Sequence, residues 1–470
     1  MAGEESAVGT GRNAIASARI NPALRRSYDL RGVFGKTLTV DDAYGVGCAF
    51  AALAHDSSLS RIAVSRDGRL SSPALEAALV DGLRRGGMHV FRLPLGPTPL
   101  LSFTIHRLGL DGGIMVTGSH NPPDQNGFKL LLDGTEPVFG SALDMLWGIE
   151  PVERSGGRVE DTDISSEYLS ALAAEVMAVT PVTITWDSGN GATGGIVERL
   201  EHRIPGKHFK LYTEIDGRFP NHHPDPAVAK NLSDLAATVV HSGSDLGIAF
   251  DGDGDRIGVV DSAGEIVWPD QLLLLLARDV LRERPGSTVV ADVKSSGVLF
   301  DGIAAAGGRA LMGPSGYVLV RERMLQAAAP IAGEMSGHIF FGDRWHHADD
   351  GLYVAMRTIR ALAHARMSLE EFRESLPPVF ATPEIRLPCP DDRKAEVIEH
   401  IAQRLGGAKV DRTDGLRVTE EGGWWLLRAS GTEAKLTARC EAQDAASLKQ
   451  LKSSLGAALR EAGLPADEFL

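Results

Sequence analysis

The chain has 470 residues, 43% apolar and 23% charged, the composition of an ordinary globular protein that is too long for one core. Three or four domains are predicted. A formal net charge of −14 with no basic stripe argues against a nucleic-acid partner, and any phosphate-binding cleft must bring its own Arg and Lys.

The first residues, to about Ser17, are small and polar and include Glu4 and Glu5, so they read as a loose arm and not as a secretory signal. Cys48, Cys389 and Cys440 are far apart and form no Cys-x-x-Cys pair, which indicates neither a disulfide framework nor a thiolate zinc site and favours the cytoplasm. Apolar, β-branched runs at 62–67, 182–187 and 289–294 each end in an acidic or polar loop, and helical spacing follows, as over 72–85. A second apolar run follows in each unit, at 113–116, 247–250 and 330–332. This plan, repeated three times, predicts βαβ units with largely parallel sheets, buried on both faces. Ligands of such sheets sit beyond the carboxyl ends of the strands, where the polar loops lie. The run Leu272 to Ala277 meets Arg278 and Asp279 and is far too short for a membrane span, so no membrane partner is expected. After Pro377-Pro378, read as a linker or hinge, strand patterns at 384–387 and 423–428 and a final amphipathic helix over 445–462 predict a smaller α+β domain. The expected domains are 1–164, 165–265, 266–377 and 378–470.

Four loops carry candidate chemistry. Thr117-Gly118-Ser119-His120-Asn121-Pro122 offers a hydroxyl in a tight turn, where Gly118 tolerates unusual backbone angles and Asn121-Pro122-Pro123 fixes the chain. Taken alone, Ser119 reads equally well as a turn residue. A Ser-His-Asp triad gains little support, because adjacent side chains on an extended segment point to opposite faces and His120 would turn away from Ser119. Asp251, Asp253 and Asp255 alternate with glycines and can turn three carboxylates to one side, a hard oxygen site suited to Mg²⁺. Ser262 stands where an EF-hand would need its last acid, which excludes a calcium loop. Arg256 adds a bidentate phosphate donor. Glu334, Ser336 and His338 alternate along a third loop and could bind sugar hydroxyls while His338 handles a proton. Arg428, Ser430, Gly431 and Thr432 could wrap a phosphate, the alternative being a surface turn. A competing pattern, Gly189-Asn190-Gly191-Ala192-Thr193-Gly194, fits the dinucleotide-binding Gly-x-Gly-x-x-Gly, with Glu214 where a ribose-binding acid would lie. It keeps an NAD-dependent oxidoreductase in view, although the four other loops would then have no task. The pairs His222-His223 and His346-His347 lack a third ligand at suitable spacing and read as loop histidines.

In this order and over nearly the whole chain, the loops resemble those of the α-D-phosphohexomutase family, most closely its bacterial phosphomannomutase/phosphoglucomutase branch. The resemblance rests on residues 117–129, on Asp-Gly-Asp-Gly-Asp-Arg at 251–256, on Gly-Glu-Met-Ser-Gly-His at 333–338 and on Tyr28-Asp29-Leu30-Arg31-Gly32. Met335 favours the hexose branch over the phosphoglucosamine mutases, which remain the nearest alternative. The resemblance implies three alike mixed α/β domains around a central cleft and a last α+β domain resembling the TATA-box-binding-protein fold. It implies a phosphorylated Ser119, one Mg²⁺ held by Asp251, Asp253, Asp255 and that phosphate, and glucose 1,6-bisphosphate as activator. Arg31, Lys129 and Arg256 would surround the transferring group, with Lys129 a proton acceptor and His338 assisting. Tyr28, Lys294, Tyr317, Glu334 and Ser336 would contact the sugar, and Arg428, Ser430, Gly431 and Thr432 the non-reacting phosphate. Sugar phosphates would be the partners of a monomer or weak homo-oligomer. A degenerate, non-catalytic binding protein is disfavoured by the intact Ser119, Lys129 and three Asp. Two departures stand out. Ala434 replaces a Pro common after the phosphate loop and loosens that turn. Tyr317 stands in Gly313-Pro314-Ser315-Gly316-Tyr317 where the branch has a His, which leaves the mannose-versus-glucose preference open.

Overall fold

A computed structural model describes residues 19–150, 152–405, 409–431 and 434–466. The arm expected before Ser17 lies outside them, as does Thr432. The chain divides into two compact units. One holds the chain through Tyr168 with Asn190–Gly195 and Glu214–His223; the other holds Leu169–Gly189, Ile196–Thr213 and the chain from Pro224 onward.

The first unit is built on one mixed sheet. Its central strand, Arg61–Arg66, buries Ile62, Ala63 and Val64 on both faces and runs parallel to His89–Arg92 on one side and Gly112–Val116 on the other. The helix Val40–Asp56, opened by a Thr39/Asp42 capping box, and the helix Ser72–Arg85 pack their apolar sides into the core with Phe50, Leu75, Leu79 and Leu83. The second helix has the bounds that its spacing predicts.

The parallel half of the prediction holds in all three repeats, and the other half is antiparallel. Gly112–Val116 turns back into Gln125–Leu132, Leu246–Phe250 into Ile257–Asp261, and Ile331–Gly333 into Ile339–Phe341. The sheet orders therefore share one plan: a return strand, the second apolar run, the first apolar run and a further parallel strand. Each return strand is buried along its middle and shows no alternation, so its pattern does not reveal its direction. The consequence for function is direct. The three polar loops are hairpin connections at the carboxyl ends of the second runs, and each is held at both ends by ladder hydrogen bonds.

The last sheet is an antiparallel meander. Lys435–Ala442 pairs with Gly423–Ala429, which pairs with Leu416–Glu420, backed by the helices Asp391–Ala402 and Ala445–Glu461. Within Gly423–Ala429, Trp425 and Leu427 enter the meander's own core, while Trp424 and Leu426 pack on Val293 of the third sheet's loop. Burial of both faces explains why Trp424 to Leu427 reads as an unbroken apolar run. The final helix begins at Ala445, where the Asp444 side chain accepts the Ser447 N–H, and ends at Glu461, close to the prediction. Among the described residues no helix is long and apolar enough to cross a membrane.

Candidate active site

In the first unit Ser119 is buried in its hairpin loop, with φ at 49°, the left-handed region that non-glycine residues rarely adopt. Asp67, at the end of the central strand, accepts the Gly118 N–H (3.2 Å) and the Thr117 hydroxyl (2.8 Å), and Thr117 Oγ1 accepts the Ser119 N–H at 2.8 Å. The unusual angle falls on Ser119 itself. Gly118 is needed for space, because a Cβ there would overlap the Arg69 guanidinium. The left-handed turn also overturns the expectation that His120 points away. The segment is not extended, and His120 Nδ1 lies 3.2 Å from Ser119 Oγ.

Arg31 stands opposite Gly127 in the pairing of Leu30–Val33 with Gln125–Leu132, so Arg31 and Lys129 project from the same sheet face. Both are buried. Arg31 donates to the Thr117 carbonyl at 2.7 Å and is held by Asp29 at 2.8 Å. The Tyr28 ring lies 6.4 Å from that of Phe139.

In the second unit the hairpin loop after Phe250 carries Asp251, Asp253 and Asp255, all at most 1% exposed, with donor oxygens within 4.8 Å of one another. Asp251 Oδ1 accepts the N–H groups of Gly254 (2.9 Å) and Arg256 (3.2 Å), and Gly254, at φ 78°, lets the loop close. Three buried carboxylates whose oxygens lie this close together offer the set of hard donors that a divalent cation takes. The loop abuts the third hairpin: Ile257 N–H donates to Gly337 O (3.3 Å), and Arg256 bridges to His338. Arg256 Nε donates to His338 Nε2 at 2.8 Å, and His338 Nδ1 lies 2.7 Å from Asp349. The imidazole is 2% exposed and stacks on Tyr317 (5.1 Å) and Phe340 (6.5 Å). Both ring nitrogens are thus engaged, and Tyr317, opening the helix Tyr317–Gln326, serves as one wall of the ring's slot.

Glu334 faces Lys294 Nζ (3.6 Å) and accepts the Ser315 hydroxyl (3.3 Å). Burial pushes its carboxyl upward, but the Lys294 and Arg256 cations, with the His338 ring beside them, outweigh it and hold it below the usual glutamate range. Ser336 is half-buried in the same loop. Ser315 donates its N–H to Asp414 Oδ2 (2.9 Å), which also accepts Arg428 Nε at 2.9 Å. The candidate phosphate clamp and the candidate sugar contacts thereby meet through Asp414. Ser430 and Gly431 follow Arg428 in the next hairpin. The Ser430 carbonyl accepts Lys394 Nζ (2.9 Å), and the Ala434 carbonyl accepts the Cys389 N–H (3.1 Å), so the turn is tied at the position of the missing proline.

Comparison with known proteins gives the same organisation. Profiles of the phosphoglucomutase/phosphomannomutase α/β/α domains I, II and III and of the C-terminal domain match residues 23–144, 166–264, 268–380 and 384–457. The chain belongs to the phosphoglucomutase/phosphomannomutase family. It is 39% identical over 442 residues to a Pseudomonas putida phosphomannomutase/phosphoglucomutase, covering 93% of this chain and 96% of that one. It is 39% identical over 453 residues to a Neisseria gonorrhoeae phosphoglucomutase, covering 94% and 98%. A crystal structure of a phosphoglucomutase/phosphomannomutase family protein from Burkholderia thailandensis superposes with a TM-score of 0.89 at 36% identity, covering 95% of this chain and all of that one. The family places the chain among the isomerases that act as intramolecular phosphotransferases, with the mixed α/β domains and distinct C-terminal domain seen in the fold.

Membership in this mutase family also settles the competing glycine pattern. Asn190 Nδ2 donates to the Glu214 carbonyl and its Oδ1 accepts Asn221 Nδ2, both at 2.8 Å. Asn190, Ala192 and Thr193 are buried, so the turn is filled by protein where a dinucleotide would need an open cradle. Neither His222-His223 nor His346-His347 belongs to a group close enough to hold a metal among the described residues. Sequence reasoning passed over Arg69, Asp349 and Asp414. None lies in a recognisable motif, and each acts through a partner distant in sequence or in another loop.

Proposed function

We propose that this family member interconverts the 1- and 6-phosphates of glucose and mannose through a phosphoserine at Ser119 and a bisphosphorylated hexose. The buried Asp251, Asp253 and Asp255 cluster, with Arg256 beside it, carries the reading. The relatives' names supply the sugars, and at equal identity one relative is named for both hexoses and the other for glucose. Mg²⁺ held by the three aspartates supplies charge neutralisation at the transferring phosphoryl group.

The four loops belong to domains at 1–164, 165–265, 266–377 and 378–470. In the forward direction the Ser119 Oγ–P bond breaks as a sugar hydroxyl oxygen bonds to phosphorus. The hydroxyl proton passes to Lys129 and is returned to the departing Ser119 Oγ, and Arg31 and Arg256 hold the phosphoryl oxygens. After the intermediate turns around, its other phosphoryl returns to Ser119 Oγ. Tyr28, Lys294, Glu334 and Ser336 hold the sugar in either orientation, and Arg428, Ser430, Gly431 and Thr432 hold the resting phosphate. His338 assists by holding Arg256, and Tyr317 walls its ring. Glucose 1,6-bisphosphate primes Ser119, and the enzyme works as a cytoplasmic monomer or weak homo-oligomer.

The test is turnover of glucose 1-phosphate and mannose 1-phosphate with Mg²⁺ and trace glucose 1,6-bisphosphate. Stimulation by bisphosphate on both sugars supports the reading, and turnover of glucosamine 1-phosphate alone replaces it with an amino-sugar mutase. Ser119→Ala should cut kcat by several orders of magnitude while hexose phosphate still binds; near wild-type turnover in that variant removes Ser119 as the phosphate carrier.

A further inference from the structure

Arg69 is 1% exposed, and the reaction just described makes no use of it. A guanidinium has five N–H donors, and here all five are taken. Nη2 donates to the carbonyls of Ser119 (2.6 Å) and Asn121 (2.7 Å), and Nη1 to those of Pro122 (2.5 Å) and Gln125 (2.9 Å). Nε donates to Asp67 at 3.1 Å. Phe219 covers the cation with its ring 5.0 Å away. Gly118 passes so close that any side chain there would strike the guanidinium.

Four carbonyls from one short loop thus converge on a single buried cation, a planar fork that no other side chain reproduces. The convergence accounts for the left-handed Ser119, since its own carbonyl is one of the four. Asp67 supplies the counter-charge and holds the loop from the other end, at the Thr117 hydroxyl and the Gly118 N–H. A hairpin tip that had to rely on its ladder alone would be free to shift its hydroxyl. One pinned at four carbonyls and one amide is not.

We propose that Arg69 is a positioning residue for phosphoryl transfer. It holds the Ser119 loop in its left-handed turn, so that Oγ returns to the same point each time it loses and regains a phosphoryl group. The proposal rests on Ser119 being the phosphate carrier. It assigns to Arg69 no contact with substrate, so its loss should appear in kcat and in the rate of Ser119 phosphorylation while KM for hexose phosphate stays put.

The experiment uses the full chain with Arg69→Met and Arg69→Lys. It measures kcat and KM for glucose 1-phosphate, and the rate at which glucose 1,6-bisphosphate phosphorylates Ser119, followed by intact mass and peptide mapping. Arg69→Met should lose about 100-fold in kcat, as expected for a reacting atom displaced by about 1 Å, with the phosphorylation rate falling in parallel and KM changed less than about twofold. Arg69→Lys should recover part of the loss. Gly118→Ala removes no functional group and crowds the guanidinium, so it should reproduce the kcat loss even if Arg69→Met does not fold. Leu79→Ala, in the core of the same unit, controls for stability and should lower Tm with kcat kept.

Wild-type phosphorylation rates in a folded Arg69→Met or in Gly118→Ala overturn the proposal. So does an equal kcat loss in Leu79→Ala. A wild-type chain that turns over hexose phosphate without phosphate on Ser119 overturns the carrier reading as well, which separates the two failures.

Discussion

Asp349 makes no contact that a sequence motif announces, yet its removal should disable Arg256. Arg256 Nε–H donates to His338 Nε2, so that nitrogen bears the lone pair and the ring proton sits on Nδ1, facing Asp349 at 2.7 Å. Asp349→Ala deletes the acceptor of the Nδ1 proton, beside a ring that is itself 2% exposed. A hydrogen bond to a charged acceptor contributes about 1.5–3 kcal/mol. Without it the proton is free to move to Nε2, which turns the Arg256 contact from attraction to donor-against-donor. A net loss of about 2 kcal/mol in the placement of Arg256 corresponds to about a 30-fold drop in kcat/KM, at 1.4 kcal/mol per factor of ten. Asp349→Asn keeps a carbonyl oxygen that accepts from Nδ1 and should lose only about fivefold, because charge assistance roughly doubles such a bond and about half of the 2 kcal/mol is kept. The assay is kcat/KM for glucose 1-phosphate at saturating Mg²⁺, beside a thermal melt. An Asp349→Ala protein that is folded and within threefold of wild type would refute the relay, as would an Asn variant as impaired as the Ala variant.

Asp253→Asn should raise the Mg²⁺ concentration needed for half-maximal rate and lower kcat together. Because it relieves repulsion among three buried carboxylates, it should also stabilise the metal-free fold by about 1 kcal/mol, read as a higher Tm in EDTA; an unchanged Mg²⁺ requirement would count against the metal site. The Glu334 carboxyl is held below its ordinary range, so binding that needs the carboxylate is present above that range and disappears only when pH falls through the depressed value. Hexose phosphate affinity that already weakens above about pH 5 in step with Glu334 protonation, and is made flat by Glu334→Gln, would contradict this. The three cysteines are free and buried, with Cys48 pushed up to about 11 and Cys440 to about 12 by burial. At pH 8 a thiol reagent should react with none in the folded protein and with all three in denaturant, and prompt labelling of either residue would show that its segment opens.

The sequence showed where the strands and polar loops lie, because apolar runs with abrupt polar ends survive any tertiary context. It did not show the direction of the return strands: a stretch such as Gly127 to Leu130, buried throughout, has the same pattern whether parallel or antiparallel. Nor did it show the turn at Ser119. A left-handed angle at a non-glycine residue is imposed here by Arg69 and Asp67, some fifty positions away, and no local preference announces it. The reading of His120 failed for that one reason. Arg69 and Asp414 were passed over on similar grounds, since an Arg or Asp in a loop has the composition of a solvated surface until its partners are known.

The repeat goes further than the strands. The first apolar run of each unit leads to an aspartate at the carboxyl end of the central strand, Asp67, Asp187 and Asp292, each at most 1% exposed. Each holds a nearby loop. Asp67 takes the Gly118 amide and the Thr117 hydroxyl, Asp187 the Gly189 amide at 2.8 Å, and Asp292 the Ser295 hydroxyl at 2.9 Å with Lys294 Nζ 3.6 Å away. A carboxylate in that place meets the free N–H and hydroxyl groups left where a strand ends and a loop begins, which is why a buried acid is tolerated there at all. Each sheet of the repeat thus carries the same anchor at the same structural position, while the hairpin loop beside it differs: a hydroxyl in the first, three carboxylates in the second, and a Glu, a hydroxyl and a buried imidazole in the third. The anchors stay because the backbone needs them, and the hairpin tips, held at both ends, are where the three units could diverge into separate chemical tasks.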